Sequence, residues 1–177
     1  SMTECLEREH ANPSSTHAPG RRARRRVEDA RAAIGAALGV PAETLVFTSG
    51  ATEANNLALQ GLLLDRGGPP PHLVTTRIEH KSVLDAAKDL ERRGVEVTYV
   101  GCGPDGRVPA EAVAAALTPR TALVSIMHVN NETGVIQDLD SIAALCSDRG
   151  VPLHVDAAQS AGKLELPLRR WGVALCS

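Results

Sequence analysis

Four runs of the sequence end on side chains able to do chemistry. In "FTSGATEANN", Ser49, Gly50, Ala51 and Thr52 come between a short apolar run and a helix-like stretch. Small side chains let backbone N–H groups close on an anion, a helix start favours negative charge, and Thr52 adds a hydroxyl. The same composition also makes an ordinary helix cap. In "TTRIEHKSV", His80 offers an imidazole that can stack on a planar ligand and move protons near pH 7, while Lys81 reads as a solvated helix-start residue. "IMHVNNETG" supplies two side-chain amides, Asn130 and Asn131, in what is equally a turn, and His128 within it reads as a satisfied core residue. "VPLHVDAAQSAG" ends a buried strand on Asp156, with Gln159 three residues on. That pair reads as the cap of a helix beginning at Ala157. It reads equally as a carboxylate facing a cationic ligand nitrogen, with an amide reaching a second polar atom.

Alternating elements must position these groups. The spacing of Val27, Ala30, Ile34 and Leu38 predicts a helix over 21–38 with those residues on one face. Strands are expected at 44–48, 73–77, 95–100, 122–129 and 152–155. Between them helices are expected at 53–64, 81–93, 109–117 and 138–149, with a turn at 103–106. "DRGGPPPH" (65–72) reads as a surface linker. Strands alternating with helices of this length imply βαβ units and an α/β fold: a mostly parallel sheet with helices on both faces. Ligands of such sheets sit beyond the carboxyl ends of the strands. All four segments fall there. An anion cradle, a flat imidazole, amides and a carboxylate on one rim are the parts that hold pyridoxal 5'-phosphate. A carboxylate keeps its pyridine nitrogen protonated, so that the ring draws electrons.

The bulk composition narrows the field. The chain has 177 residues, 43% hydrophobic and 23% charged, with a net charge of -2, which suits one globular domain or a large piece of one. The near-neutral charge gives no general drive toward nucleic acid or an anionic membrane. The cluster "RRARRR" (21–26) reads as a solvated helix face. No apolar run approaches the roughly 20 residues of a membrane-spanning helix. Cys5, Cys102, Cys146 and Cys176 lack metal-ligand spacing and read as reduced thiols of a cytoplasmic protein, so no metal site is expected. The helical opening and the closing apolar run "RRWGVALCS" read as the ends of a truncated chain.

The stretches "NPSSTHAPGRRAR", "FTSGATEANNLAL", "IEHKSV", "SIMHVNNETGVIQD" and "HVDAAQSAGK" resemble, in order, the class V aminotransferase family of fold type I pyridoxal-phosphate enzymes, specifically the cysteine desulfurases. The resemblance implies that residues 1–177 are most of the large cofactor-binding domain. It assigns Ala51 and Thr52 to the phosphate, and His80 to the ring face and to proton transfer. Asn131 goes to the phenolic oxygen and the substrate carboxylate, Asp156 to the pyridine nitrogen, and Gln159 to the phenolic oxygen. The implied reaction removes sulfur from L-cysteine, leaving L-alanine and an enzyme persulfide for iron–sulfur cluster assembly or tRNA thiolation. A homodimer is the implied assembly, and a sulfur-acceptor or scaffold protein the further partner.

The sequence also departs from the family pattern. The family's first strand, its Schiff-base lysine in "S-x-HK" and its sulfur-accepting cysteine match nothing in these residues, and Ala174 stands where an acidic residue is common. Lys163 lies in "SAGK", not in the Schiff-base motif. The expectation is that this stretch alone does not complete the cycle. Two other readings stay open: a selenocysteine lyase or another class V aminotransferase, and a non-catalytic fragment or scaffold.

Overall fold

The computed structural model describes residues 2–8, 10–64 and 68–177, so 65–67 of the expected linker lie outside the described residues. Contacts divide the chain into two units, Ser1–Phe47 and Thr48–Ser177.

The first unit holds helices α1 (Met2–Arg8) and α2 (Ala18–Leu38) and a 3₁₀ turn at Ala42–Thr44. Helix α2 starts three residues before the expected boundary because His17 caps it, Nδ1 accepting from Gly20 N–H at 3.1 Å. A Cβ on Gly20 would lie 2.5 Å from the Ser15 carbonyl oxygen, so only glycine admits the incoming chain there. The buried positions of α2 are Gly20, Ala23 and Gly35, whereas Ala30 and Ile34 of the expected apolar face are exposed. The physical reason is close backbone approach: residues 12–15 sit on Gly20 and residues 40–42 on Gly35, so small residues set the contact rather than the aliphatic stripe. The arginines of 21–26 are exposed, as a solvated face requires. The strand expected at 44–48 does not form. Residues 45–48 join no ladder, the Arg31 guanidinium takes the Leu45 carbonyl, and Val46 and Phe47 stay exposed. An apolar run becomes a strand only when a neighbour supplies hydrogen bonds.

The second unit is a parallel sheet in the order β2-β1-β3-β4-β5, with β1 His72–Thr76, β2 Glu96–Val100, β3 Thr121–Met127, β4 Leu153–Asp156 and β5 Leu175–Cys176. Helix α3 (Ala51–Leu63) leads into β1, and α4 (Lys81–Arg92), α5 (Ala110–Ala116) and α6 (Leu139–Arg149) connect successive strands up to β4. Leu59 and Leu63 of α3 meet Val83, Ala86, Ala87 and Leu90 of α4 over Leu73 and Leu123 of the sheet. Val74, Val124, Ile126 and Val155 point to the opposite face and are equally buried, as are Val113 of α5 and Ile142 of α6, so helices cover both faces. The central strands are therefore buried along nearly their whole length, as a doubly covered parallel sheet demands.

Two boundaries shift where chemistry was expected. Strand β4 runs on to Asp156, and residues 158–163 form turns instead of a helix. Asp156 is thus a strand residue whose Oδ1 accepts from Ala158 N–H at 3.0 Å, not a helix cap. Strand β3 stops at Met127, leaving His128 just beyond it. His128 is buried edge-on to Trp171, with ring centroids 5.2 Å apart, and its Nδ1 has no hydrogen-bond partner. The satisfied core histidine expected from the sequence is therefore an unsatisfied one, and burial lowers its pKa. The Trp171 indole N–H donates to Asp140 Oδ1 at 2.7 Å on α6.

Candidate functional site

Strand β1 lies between β2 and β3, so the connection leaving β1 for β2 and the one leaving β3 for β4 diverge at the carboxyl ends of β1 and β3. Such a switch point opens a crevice in a parallel sheet. The exits of β1, β3 and β4 and the start of α3 supply the candidate groups.

Register decides which way Asp156 points. It pairs with Met127, and Ser125 pairs with His154 two residues earlier, so the side chains of His154 and Asp156 share the face that α3 and α4 cover. There Asp156 Oδ2 accepts from Asn55 Nδ2 at 2.8 Å. The same Nδ2 donates to Ser82 Oγ at 2.8 Å, and that hydroxyl lies 2.8 Å from His80 Nδ1. His80 caps α4, its Nδ1 also accepting from Ser82 N–H at 3.2 Å. One hydrogen-bonded chain thus runs from the β4 exit through α3 to the α4 cap. Asn55 lies one turn beyond Ala51 and Thr52 on α3, so the helix start belongs to the same rim.

The start of α3 is open. Gly50 caps it without a side-chain bond, and the Gly50 carbonyl already accepts from Ala54 N–H. Glu53 reaches back, its Oε2 accepting from Ser49 N–H and Oγ–H, both at 2.6 Å, and these bonds hold its pKa below the ordinary value. Four N–H groups at a helix start need partners from outside the helix, which is what an anion supplies.

A second acid sits behind the first. Glu79 is buried, its Oε1 accepting from Thr76 Oγ–H at 2.7 Å and Met127 N–H at 3.0 Å, while Oε2 has no partner. Burial pushes its pKa up to about 8 against those two bonds, and the charge of Asp156 pushes the same way. Near neutral pH Glu79 is therefore mostly protonated.

Not every expected residue joins this chain. Asn130 is a clasp: Nδ2 donates to the Ile78 carbonyl at 2.9 Å, and Oδ1 accepts from Glu132 N–H, Thr133 N–H and the Thr133 hydroxyl. The hairpin is closed by the Val129–Ile136 bridge and by Gly134, at φ 71. Asn131 is left exposed beside the clasp, two residues after Val129. Gln159 is exposed on the turn after β4. The structure thus links His80 to Asp156 through Ser82 and Asn55, sets Ala51 and Thr52 on the helix that carries Asn55, and carries Asn131 and Gln159 on neighbouring loops.

Asn55, Ser82 and Glu79 are site residues the sequence reading passed over. A signal existed for the first two. Asn55, Leu59 and Leu63 are the buried stripe of α3, and Ser82 shares the buried face of α4 with Val83, Ala86 and Leu90. A polar residue on an apolar stripe needs a partner. Glu79 beside Thr76 left no such pattern.

Asp156 is buried, yet both of its partners, the Asn55 amide and the Ala158 N–H, are neutral. Asn55 Oδ1 is buried without a donor. A buried carboxylate held only by neutral donors is incomplete without a cation. The rim therefore suits a ligand with an anionic end for α3 and a cationic atom for Asp156.

The model of the aminotransferase class-V family matches residues 1–177. The chain belongs to the class V aminotransferase family. This class V chain is 48% identical over 179 aligned residues to the cysteine desulfurase IscS of Stutzerimonas stutzeri, covering 99% of this chain and 44% of that protein. IscS of Azotobacter vinelandii is 46% identical over the same shares. The chain thus spans less than half the length of these curated relatives. Among solved structures, SspA in complex with cysteine aligns with a TM-score of 0.96 at 38% identity, over 99% of this chain and 51% of that one. DndA from Streptomyces lividans gives 0.88 at 43% identity, over 98% and 49%. The fold of this class V chain is that of about half of each of these structures, with the expected parallel sheet.

Proposed function

We propose that residues 1–177 are the pyridoxal 5'-phosphate-binding part of a cysteine desulfurase, acting on L-cysteine and yielding L-alanine and a protein-bound sulfur. The observation that carries the reading is the buried Asp156 carboxylate, met only by neutral donors and tied through Asn55 to the open start of α3. Desulfurase relatives at 46–48% identity support it over a selenocysteine lyase or another class V enzyme.

The residues present fit the group. The free N–H groups at Ala51 and Thr52, with the Thr52 hydroxyl, would hold the phosphate. Asp156 would hold the pyridinium nitrogen, its charge undiluted because Glu79 is mostly protonated. His80 would lie on the ring face and exchange protons there, Asn131 would meet the phenolic oxygen and the substrate carboxylate, and Gln159 would meet the phenolic oxygen. Bound in this way, pyridoxal phosphate supplies an electron sink for chemistry at the amino acid's α-carbon. The chain's own task is to keep the charge of Asp156 buried and unshared, and to present His80 beside it. A homodimer in the cytoplasm, handing sulfur to an acceptor or scaffold protein for iron–sulfur clusters or tRNA thiolation, completes the reading.

The test is to purify the full-length protein bearing this segment with pyridoxal phosphate and to measure L-alanine and sulfide formed from L-cysteine under reductant. Equal yields of both, lost in Asp156→Ala, are expected. Cofactor retention with no alanine from cysteine, but alanine from selenocysteine or transamination instead, would overturn the assignment.

A further inference from the structure

We propose that Asn55 and Ser82 are positioning residues that hold the His80 imidazole as its neutral Nε2–H tautomer, by a hydrogen-bond chain whose direction is fixed at Asp156. Its meaning for catalysis rests on the reading above, in which His80 is the catalytic group; the tautomer itself does not.

Donor arithmetic carries the assignment. An ionised Asp156 carboxylate can only accept, so the Asn55 side chain must turn its NH2 toward it, and the amide cannot be flipped. The two hydrogens of Asn55 Nδ2 are then spent, one on Asp156 Oδ2 and one on Ser82 Oγ, each at 2.8 Å. The orphaned Asn55 Oδ1 is the other mark of this orientation. Ser82 Oγ has thereby taken a hydrogen from one side and has its own to give. Its acceptor is His80 Nδ1, 2.8 Å away.

The cap of α4 points to the same nitrogen. Ser82 N–H aims at Nδ1 from 3.2 Å and has no other acceptor. A proton on Nδ1 would set donor against donor at the N–H and leave a nearly buried group unpaired, at 7% exposure for Ser82. Two donors therefore converge on the Nδ1 lone pair, and the one proton of a neutral imidazole sits on Nε2. In this state His80 offers its surroundings a donor. Taking up a proton at Nε2 as a base requires the Ser82 hydroxyl to turn and the α4 cap to loosen. His80 thus presents a hydrogen-bond donor at Nε2, with Asn55 and Ser82 acting through it and touching no substrate.

The tautomer is read by long-range proton–nitrogen correlation spectra of the protein labelled with ¹⁵N-histidine, at a mildly alkaline pH where imidazoles are neutral. His80→Gln identifies the His80 signals by their loss. The parent protein is expected to show Nε2–H at His80. Ser82→Ala, which keeps the backbone cap and removes the hydroxyl, is expected to move the tautomer ratio about fivefold toward Nδ1–H, the worth of one ordinary hydrogen bond. Ser82→Thr should restore the parent ratio, and Asn55→Ala should move it in the direction of Ser82→Ala. A parent protein with Nδ1–H dominant, or a ratio unmoved in Ser82→Ala, overturns the proposal whatever Asn55→Ala does to folding. Shifted tautomers in a protein that releases no alanine from cysteine would sink the desulfurase reading and leave this one standing.

Discussion

At the residue scale the second unit buries an acid and a base whose pKa values are pushed in opposite directions. Glu79 is raised to about 8 from an ordinary 4.5, and His154, bonded through Nδ1 to Ser125 Oγ at 2.8 Å, is lowered by burial to about 4 from 6.5. An acid with a raised folded pKa loses stability as pH climbs from its unfolded to its folded value. A histidine with a lowered one loses stability as pH falls from 6.5. The two trends oppose each other between about 4.5 and 6.5, so the window from 6.5 to 8 belongs to Glu79. Stability, measured by urea denaturation followed by circular dichroism, should fall across that window in the parent and stay flat in Glu79→Gln. A flat parent curve would mean that Glu79 is ionised in the fold. For Asp156, replacement by Asn keeps the shape and removes the charge. Pyridoxal phosphate should then be held at least about tenfold more weakly in equilibrium dialysis, as expected when one partner of a buried charge pair is lost.

At the element scale, the strand exits are held by clasps that the loops themselves contain. Asn130 satisfies four groups of residues 78–133, so Asn130→Ala should cost about 1–3 kcal/mol and speed amide exchange at Glu132 and Thr133. Leu90 joins α4 to α3 and the sheet, and Leu90→Ala should lower stability by about 2–5 kcal/mol in the same denaturation assay. The sheet and its helices were legible in the sequence: β1, β2, β3 and α4 fall within two residues of their expected places. Two failures share a cause. The 44–48 run and the stripe on α2 are apolar, but neighbours decide whether apolar residues pair or pack, and periodicity cannot see neighbours. The helix expected after Asp156 fails differently, because Asp156 bonds to Ala158 N–H and closes a turn at once. Within the site, His80 and Asp156 were legible as strand exits, while the strand expected before Ala51 and Thr52 does not form and they stand at the start of α3 alone. Asn55 and Ser82 were not legible, since their partners lie 101 and 27 residues apart along the chain and meet only when the sheet is built.

At the scale of the whole chain, the division of labour follows from which residues face which layer. In the second unit, one sheet face carries Val74, Val124, Ile126 and Val155 under its helices, with His72 and Thr76 beside them. The other begins as leucine and valine and ends, toward the strand exits, as Thr75, Ser125, His154 and Asp156. The apolar end fixes the helices, and the polar end is wired to them by Asn55 and Ser82. Shifting β4 by a single residue would turn Asp156 to the opposite face, so register and site are one specification.

Trp171, the single tryptophan of these 177 residues, sits edge-on to His128 and bonded to Asp140 of α6. An imidazolium beside an indole quenches its light, whereas a neutral imidazole does so far less. The molecule therefore carries its own optical gauge. Emission should report the docking of α6 at neutral pH, and should dim before any unfolding once acid charges His128, below the range of an ordinary histidine. His128→Phe would separate the two signals, keeping the brightness constant down to the acid edge of the fold.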